Sequence, residues 1–169
     1  MEHIDVKQVT VYLGLGSNLG DRKGNLGKAL ELLAQKMRLG KRSSVYETEP
    51  VGNIPPQPRF LNMVCQASTR LGPTALLTLL KGIETKLGRT GGSRDPRPID
   101  IDILLYGDRV METPKLTIPH PRLAERAFVL VPLAEIAPEL RHPVTGKMVK
   151  ELLSQVSGVE GVVRWVEKE

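Results

Sequence analysis

Arg97-Pro98-Ile99-Asp100-Ile101-Asp102-Ile103 is the stretch on which the fold of this chain turns. From Ile99 to Ile103 apolar and acidic residues alternate with period two, the pattern of a half-buried strand. Side chains i and i+2 of a strand share a face, roughly 7 Å apart, so Asp100 and Asp102 point the same way. Parallel carboxylates repel each other, and hard oxygen ligands of this kind suit Mg²⁺. Just upstream, the loop from Gly88 to Asp95 carries Arg89 and Arg94, and Arg97 follows it. Guanidinium groups match the geometry of phosphate oxygens, so this neighbourhood suits Mg²⁺-nucleotide chemistry. The same residues also fit an edge strand with a solvated acidic face and surface counter-charges. The strand alone does not choose between the two.

The flanking segments place that strand in a fold. Residues 9–15 read as a strand. Residues 25–37 read as a helix, with Leu26, Ala29, Leu30, Leu33 and Met37 at helical spacing. Residues 45–48 close a second strand and residues 60–69 form a third. Pro73, at a first-turn position, opens a helix that runs to about residue 87 and ends at Gly88. The acidic strand occupies 99–106, followed by a Gly107-Asp108 turn. Residues 123–136 read as mostly helical, broken by Pro132. A short helix over 149–156 and a last strand over 162–166 complete the chain. Strand, helix, strand, strand, helix, strand is the order of the ferredoxin-like α+β folds, an antiparallel sheet with helices packed on it. The expectation is a single domain over 1–169 with C-terminal additions. Two irregular segments flank the strands expected at the site: 49–59, with Pro50, Gly52, Pro55, Pro56 and Pro58, and 88–98.

Composition narrows the function. Of the 169 residues 40% are hydrophobic and 25% charged, which describes an ordinary globular domain. No apolar run is long enough for a bilayer, and Met1-Glu2-His3-Ile4-Asp5 lacks the basic-then-apolar pattern of a secretory signal. The single cysteine, Cys65, lies in an apolar run and reads as a buried, inert thiol in a reducing compartment. A cytoplasmic protein is expected. The net charge of +5 favours an anionic partner. An aromatic content of 4% argues against nucleic acid, because single-strand binders stack bases on aromatic side chains. A phosphorylated small molecule fits better.

Three further constellations carry chemistry. Gly14-Leu15-Gly16-Ser17-Asn18-Leu19-Gly20-Asp21 joins a strand to a helix but lacks both the dinucleotide fingerprint and the P-loop Lys-Ser/Thr. A tight turn with Asn18 or Asp21 capping the helix is the plainer reading. His120, between Pro119 and Pro121, is either a simple loop residue or, with Arg126, a donor to phosphate oxygens. Phe60 and Phe128, the only phenylalanines, are either core residues or two walls gripping a flat heterocycle. Asn62 shares a strand face with Phe60 and offers such a ring both donor and acceptor.

In order along the chain, YLGLGSNLGDR, SSVYETEPVG, PQPRFLNMV, IETKLGR, PRPIDIDILLYG and LTIPHPRLAERAFVLVPLAEIAPEL resemble the 6-hydroxymethyl-7,8-dihydropterin pyrophosphokinases of folate biosynthesis. The resemblance spans nearly the whole length. It implies transfer of a diphosphate group from ATP to the hydroxymethyl group of a reduced pterin, releasing AMP. It also implies that Asp100 and Asp102 hold two Mg²⁺ ions, and that Arg89 and Arg97 are mobile-loop arginines on the triphosphate. By the same resemblance Glu84, Ile103, Leu116, Thr117, His120 and Arg126 fall on the nucleotide side. Thr48, Val51, Phe60, Asn62 and Phe128 fall in the pterin pocket, and the glycine segment becomes a turn beside it. Phe60 stands where members often have tyrosine. The arginine loop is shorter than in many members and lacks their tryptophan, the only one here being Trp165, and Lys115 occupies a place where arginine can occur. The implied partners are ATP and the pterin alcohol, without nucleic acid or membrane; a monomer is expected, with a dimer as the alternative. Two rivals differ in outcome. A ferredoxin-like RNA-binding module would need neither aspartate, and a nucleotidyltransferase would release pyrophosphate.

Overall fold

The computed structural model describes residues 7–51, 55–92 and 94–166; the N-terminal pentapeptide, Gly52 and Ser93 lie outside them. The main sheet is built from β1 (Val9–Ser17), β2 (Arg38–Arg42), β3 (Tyr46–Thr48), β4 (Phe60–Thr69), β5 (Asp100–Tyr106) and β8 (Val163–Arg164). Its order is β5-β1-β4-β3-β8, with β2 also pairing β4, and every pairing is antiparallel. This is the expected ferredoxin-like order, with the second strand divided into β2 and β3 by a break at residues 43–45. Helices α1 (Arg22–Ala34) and α2 (Pro73–Lys86) follow β1 and β4.

Strand alternation divides the core. Val11, Leu13 and Leu15 of β1, Leu61, Met63, Cys65 and Ala67 of β4, and Ile101 and Ile103 of β5 pack with α1 and α2 through Leu26, Leu30, Leu33, Leu76, Leu80 and Ile83. The opposite face carries Tyr12, Val64 and Leu104. It is covered by α3 (Ala127–Ile136) and α4 (Val149–Gln155), so the C-terminal additions close the second side of the sheet. Cys65 is buried with its thiol pushed up to about 12, chiefly by burial, which disfavours the reactive thiolate.

Four local readings are corrected. Helix α1 begins three residues earlier than its apolar period, because Asp21 caps it by accepting the Gly24 N–H at 3.1 Å. Helix α3 runs through Pro132. The break falls instead at Arg126, whose φ of −111° and ψ of 103° separate a short 3₁₀ turn (Leu123–Glu125) from α3. Burial of Val129, Leu130 and Leu133 against the sheet outweighs the hydrogen bond lost at the proline. The last strand shrinks to Val163–Arg164, and a small hairpin of β6 (Met111–Glu112) and β7 (Thr117–Ile118) was not foreseen. Strand β1 runs past residue 15 to Ser17, so Gly16 lies in the strand with Gly14 and not in a turn.

Candidate active site

The two glycines of β1 create the pocket. Gly14 is paired with Asp102 on one side and Val64 on the other; Gly16 is paired with Asp100 and Asn62. Without side chains at these positions, a hollow opens between the carboxylates of β5 and the polar end of β4. It is lined by Gly14, Gly16, Thr48, Glu49, Val51, Phe60, Asn62, Val64, Arg97, Asp100, Asp102, Leu104, Arg126, Phe128 and Val129, among others. Of the residues expected at the site, Asp100, Asp102, Arg97, Arg126, Thr48, Val51, Phe60, Asn62 and Phe128 therefore come together.

At the acidic end the charges are organised in pairs. Arg89 Nη1 donates to Asp100 Oδ1 at 2.8 Å, and Arg97 Nη1 stands 4.0 Å from Asp100 Oδ2. Burial, reinforced by the negative charge of Asp100, pushes the Asp102 carboxyl up to about 7, although Arg126 pulls it down. The pair fits Mg²⁺ in the manner of a substrate-borne ion. Its donors are hard oxygens, and a cation would relieve the repulsion that raises Asp102. Among the described residues no group of three or more His, Cys, Asp or Glu is placed to hold an ion outright. Mg²⁺ commonly takes one or two carboxylates and completes its shell with water and substrate phosphates.

That raised value has a consequence for stability. Because the folded protein binds this proton more tightly than the unfolded chain, Asp102 weakens the fold fully above about pH 7, and the penalty fades towards pH 3.8. Replacement Asp102→Asn is expected to raise stability at pH 8 by on the order of 2 kcal/mol, several degrees in Tm, with no gain near pH 4. Thermal melts of both proteins across that range check it; a variant less stable than wild type at pH 8 contradicts it. His120 slopes the other way, its ring pushed down from 6.5 to about 4 by burial, with Arg126 adding to the effect, so only the difference between the two proteins isolates Asp102.

The aromatic end is equally ordered. Asn62 Nδ2 donates to Thr48 Oγ1 at 2.7 Å, and both residues are buried. Each phenylalanine carries an arginine: Arg97 lies 5.9 Å from the Phe60 ring centre and Arg126 lies 5.4 Å from that of Phe128. The backbone break at Arg126 is what presents this guanidinium to the pocket at the start of α3.

Other expected site residues stand outside the lining. Ile103 faces the α1–α2 core, opposite to the carboxylates. Glu84, 3% exposed, accepts the Ile101 N–H at 2.8 Å with one oxygen and meets Arg89 at 2.9 Å with the other. Leu116, Thr117 and His120 lie on the segment passing the unpaired edge of β5, where a bulge at Leu104 turns its carbonyl to accept the His120 N–H at 2.9 Å. His120 Nδ1 accepts the Arg122 N–H at 3.2 Å, so the neutral ring has only its Nε2–H to give. Arg89 is fixed to the end of α2 and is not carried on a free loop. Gly88 takes a φ of +100°, and the Arg89 N–H returns to the Glu84 carbonyl at 3.1 Å.

Sequence reasoning missed the glycine floor, the lining residues Glu49, Val64, Leu104 and Val129, and a residue that braces the site from outside its lining. That residue is Asn18, 1% exposed, which joins three segments. Its Oδ1 accepts the Arg97 N–H at 2.8 Å, and its own N–H reaches the Arg97 carbonyl at 3.0 Å. Its Nδ2 donates to Gln57 Oε1 at 2.8 Å and to the Pro58 carbonyl at 3.1 Å. Gln57 in turn donates to the Arg94 carbonyl at 2.9 Å. The arginine loop is also tied to itself, Asp95 accepting the Gly92 N–H at 2.9 Å. Trp165 lies elsewhere, beside α1, with Lys23 Nζ 5.5 Å from its ring centre.

An α+β domain with a pocket that sets acids and arginines against an aromatic slot has the form of a phosphoryl-transfer enzyme acting on a flat ring. Residues 12–138 match the model of the family described as 7,8-dihydro-6-hydroxymethylpterin-pyrophosphokinase, HPPK. The chain is 47% identical over 143 residues to the 2-amino-4-hydroxy-6-hydroxymethyldihydropteridine pyrophosphokinase of Aquifex aeolicus, covering 84% of this chain and 89% of that one. It is 45% identical over 160 residues to the enzyme of the same description from Bacillus subtilis, covering 93% and 90%. Among solved structures, wild-type Plasmodium falciparum HPPK-DHPS superposes with a TM-score of 0.71 at 18% identity. That match covers 88% of this chain but only 45% of the longer one, and it speaks for the fold. The chain belongs to the HPPK family, whose reaction is transfer of a pyrophosphoryl group to hydroxymethyldihydropterin in folate biosynthesis.

Proposed function

We propose that ATP is the donor and that both substrates meet in the pocket floored by Gly14 and Gly16, with Mg²⁺ held by Asp100 and Asp102. The observation that carries this reading is the continuity of one cavity from the two carboxylates to the paired phenylalanines. Bound there, Mg²⁺ supplies charge neutralisation on the phosphates and a template for their approach. Arg97 and Arg126 hold their guanidinium groups over Phe60 and Phe128, and Arg97 also stands 4.0 Å from Asp100, so each sets a phosphate-binding charge against a ring wall. A pterin between the two rings would present its polar edge to Asn62, fixed by Thr48, with Val51 at the rim. The hydroxymethyl oxygen then attacks the β-phosphorus in line and AMP leaves. Glu84, Ile103, Leu116, Thr117 and His120 border the open edge of β5, where the nucleoside would lie; Ile103 would act there through its backbone. No helix among the described residues is long and apolar enough to cross a membrane. By the family resemblance, we place the activity in the cytoplasm, in a single-domain monomer.

Incubation with ATP, Mg²⁺ and the reduced pterin tests the reading. AMP should appear only when pterin is present. Pyrophosphate release would favour the nucleotidyltransferase, and salt-sensitive RNA binding without turnover the RNA module. Gly16 gives a finer test. A Cβ there would lie 2.7 Å from Asn62 Oδ1, and Thr48 prevents that amide from yielding freely. Gly16→Ala is therefore expected to raise the KM for pterin tenfold or more while leaving the KM for ATP within threefold, as steady-state kinetics on each substrate would show.

A further inference from the structure

Arg89 is held where a divalent ion would compete with it. Its backbone is locked to the end of α2 by the Gly88 turn, and its Nη1 bridges two carboxylates, Glu84 Oε1 at 2.9 Å and Asp100 Oδ1 at 2.8 Å. The second oxygen of Asp100 faces Arg97 at 4.0 Å. Glu84 is buried, and its other oxygen is committed to the Ile101 N–H, so it cannot follow Arg89 away from the helix end. An oxygen lone pair directed at a guanidinium is not available to a metal, because both demand the same charge.

We propose that Arg89 is a resident counter-ion of Asp100, occupying the place a divalent ion takes when it arrives with the nucleotide, and that Glu84 is the carboxylate that retains Arg89 once Asp100 is given up. This rests on the reading of Asp100 and Asp102 as metal ligands. The exchange makes metal binding weak without nucleotide and strong with it, because the phosphates bring both the ion and a new anionic partner for the displaced guanidinium. By linkage, metal and nucleotide then strengthen each other's binding by the same factor. Arg89 would thus serve the reaction twice, first by keeping the acidic pair compact and then by turning its free N–H groups to the triphosphate.

Titration with Mn²⁺ followed by electron paramagnetic resonance, on protein free of nucleotide, reads the exchange directly. Arg89→Ala should bind Mn²⁺ at least tenfold more tightly than wild type, and Arg89→Gln, which keeps hydrogen-bonding reach should the alanine variant fold poorly, should show the same direction. Adding Asp100→Asn to either background should erase the gain. With α,β-methylene-ATP present, the difference between wild type and the Arg89 variants should shrink below threefold. Equal Mn²⁺ affinity of wild type and both Arg89 variants without nucleotide overturns the counter-ion role. Failure of every protein to take up Mn²⁺ even with the nucleotide analogue overturns the metal reading itself, and the proposal with it.

Discussion

Asp100→Ala and Asp102→Ala each reduce turnover by at least 10³-fold at saturating Mg²⁺ while leaving a folded protein, if the acidic pair carries the metal. The separation of effects follows from strand geometry. Ile101 and Ile103 face the core formed with α1 and α2, whereas the two aspartates face the pocket across Gly14 and Gly16. Truncating an aspartate therefore leaves that core intact. The variants differ in a useful way. Asp102→Ala removes the group whose burial is costly, whereas Asp100→Ala takes from Arg89 one of its two carboxylates and leaves it paired with Glu84. AMP release together with circular dichroism separates chemistry from folding; near-normal turnover in either variant, at any Mg²⁺ concentration, would remove the metal assignment.

Arg97→Ala should lower kcat by on the order of 10³, the scale of an arginine that stabilises charge in a phosphoryl-transfer transition state. The residue is 8% exposed, which already excludes a surface counter-charge. Its anchorage to Asn18 uses only main-chain groups, so that tie survives the substitution. What is lost is the guanidinium that stands near both Asp100 and the Phe60 ring. A rise in the KM for pterin should accompany the loss in kcat, because the ring loses its backing. Arg97→Lys should recover little, since an ammonium offers neither the planar face nor the fork. Less than tenfold loss for the alanine variant would deny Arg97 a place in the chemistry.

Much of the architecture was legible because burial imposes periodicity. β4 begins and ends where its apolar run does, and α2 starts at the proline that marks its first turn. What escaped lies where burial is weak or contacts come from afar. Strand β2, Arg-Leu-Gly-Lys-Arg, is mostly exposed and owes its form to pairing with β4. The hairpin of β6 and β7 is too short to show a period. Pro132 signalled a break that tertiary packing overrides, while the break that matters, at Arg126, has no local signature.

The candidate site divides in the same way. Period two put Asp100 and Asp102 on one face, and the same rule put Asn62 with Phe60. Gly16 was assigned to a turn because a Gly-x-Gly at a strand end looks like one; only cross-strand register shows that it leaves room between Asp100 and Asn62. Asn18 looked like a helix cap, but Asp21 caps α1 and Asn18 instead holds Gln57, Pro58 and Arg97, partners some 39 to 79 residues away. No sequence period carries a link of that range. Glu84 is a similar case, since its hold on Ile101 and Arg89 depends on how α2 lies along β5.

Anomalous diffraction from crystals grown with Mn²⁺ and α,β-methylene-ATP tests the central claim most directly. Metal peaks coordinated by Asp100 and Asp102 and by the nucleotide phosphates, with Arg89 withdrawn from Asp100 onto the phosphates, are the predicted result. Nucleotide bound in the pocket with its metal away from both aspartates would contradict the account.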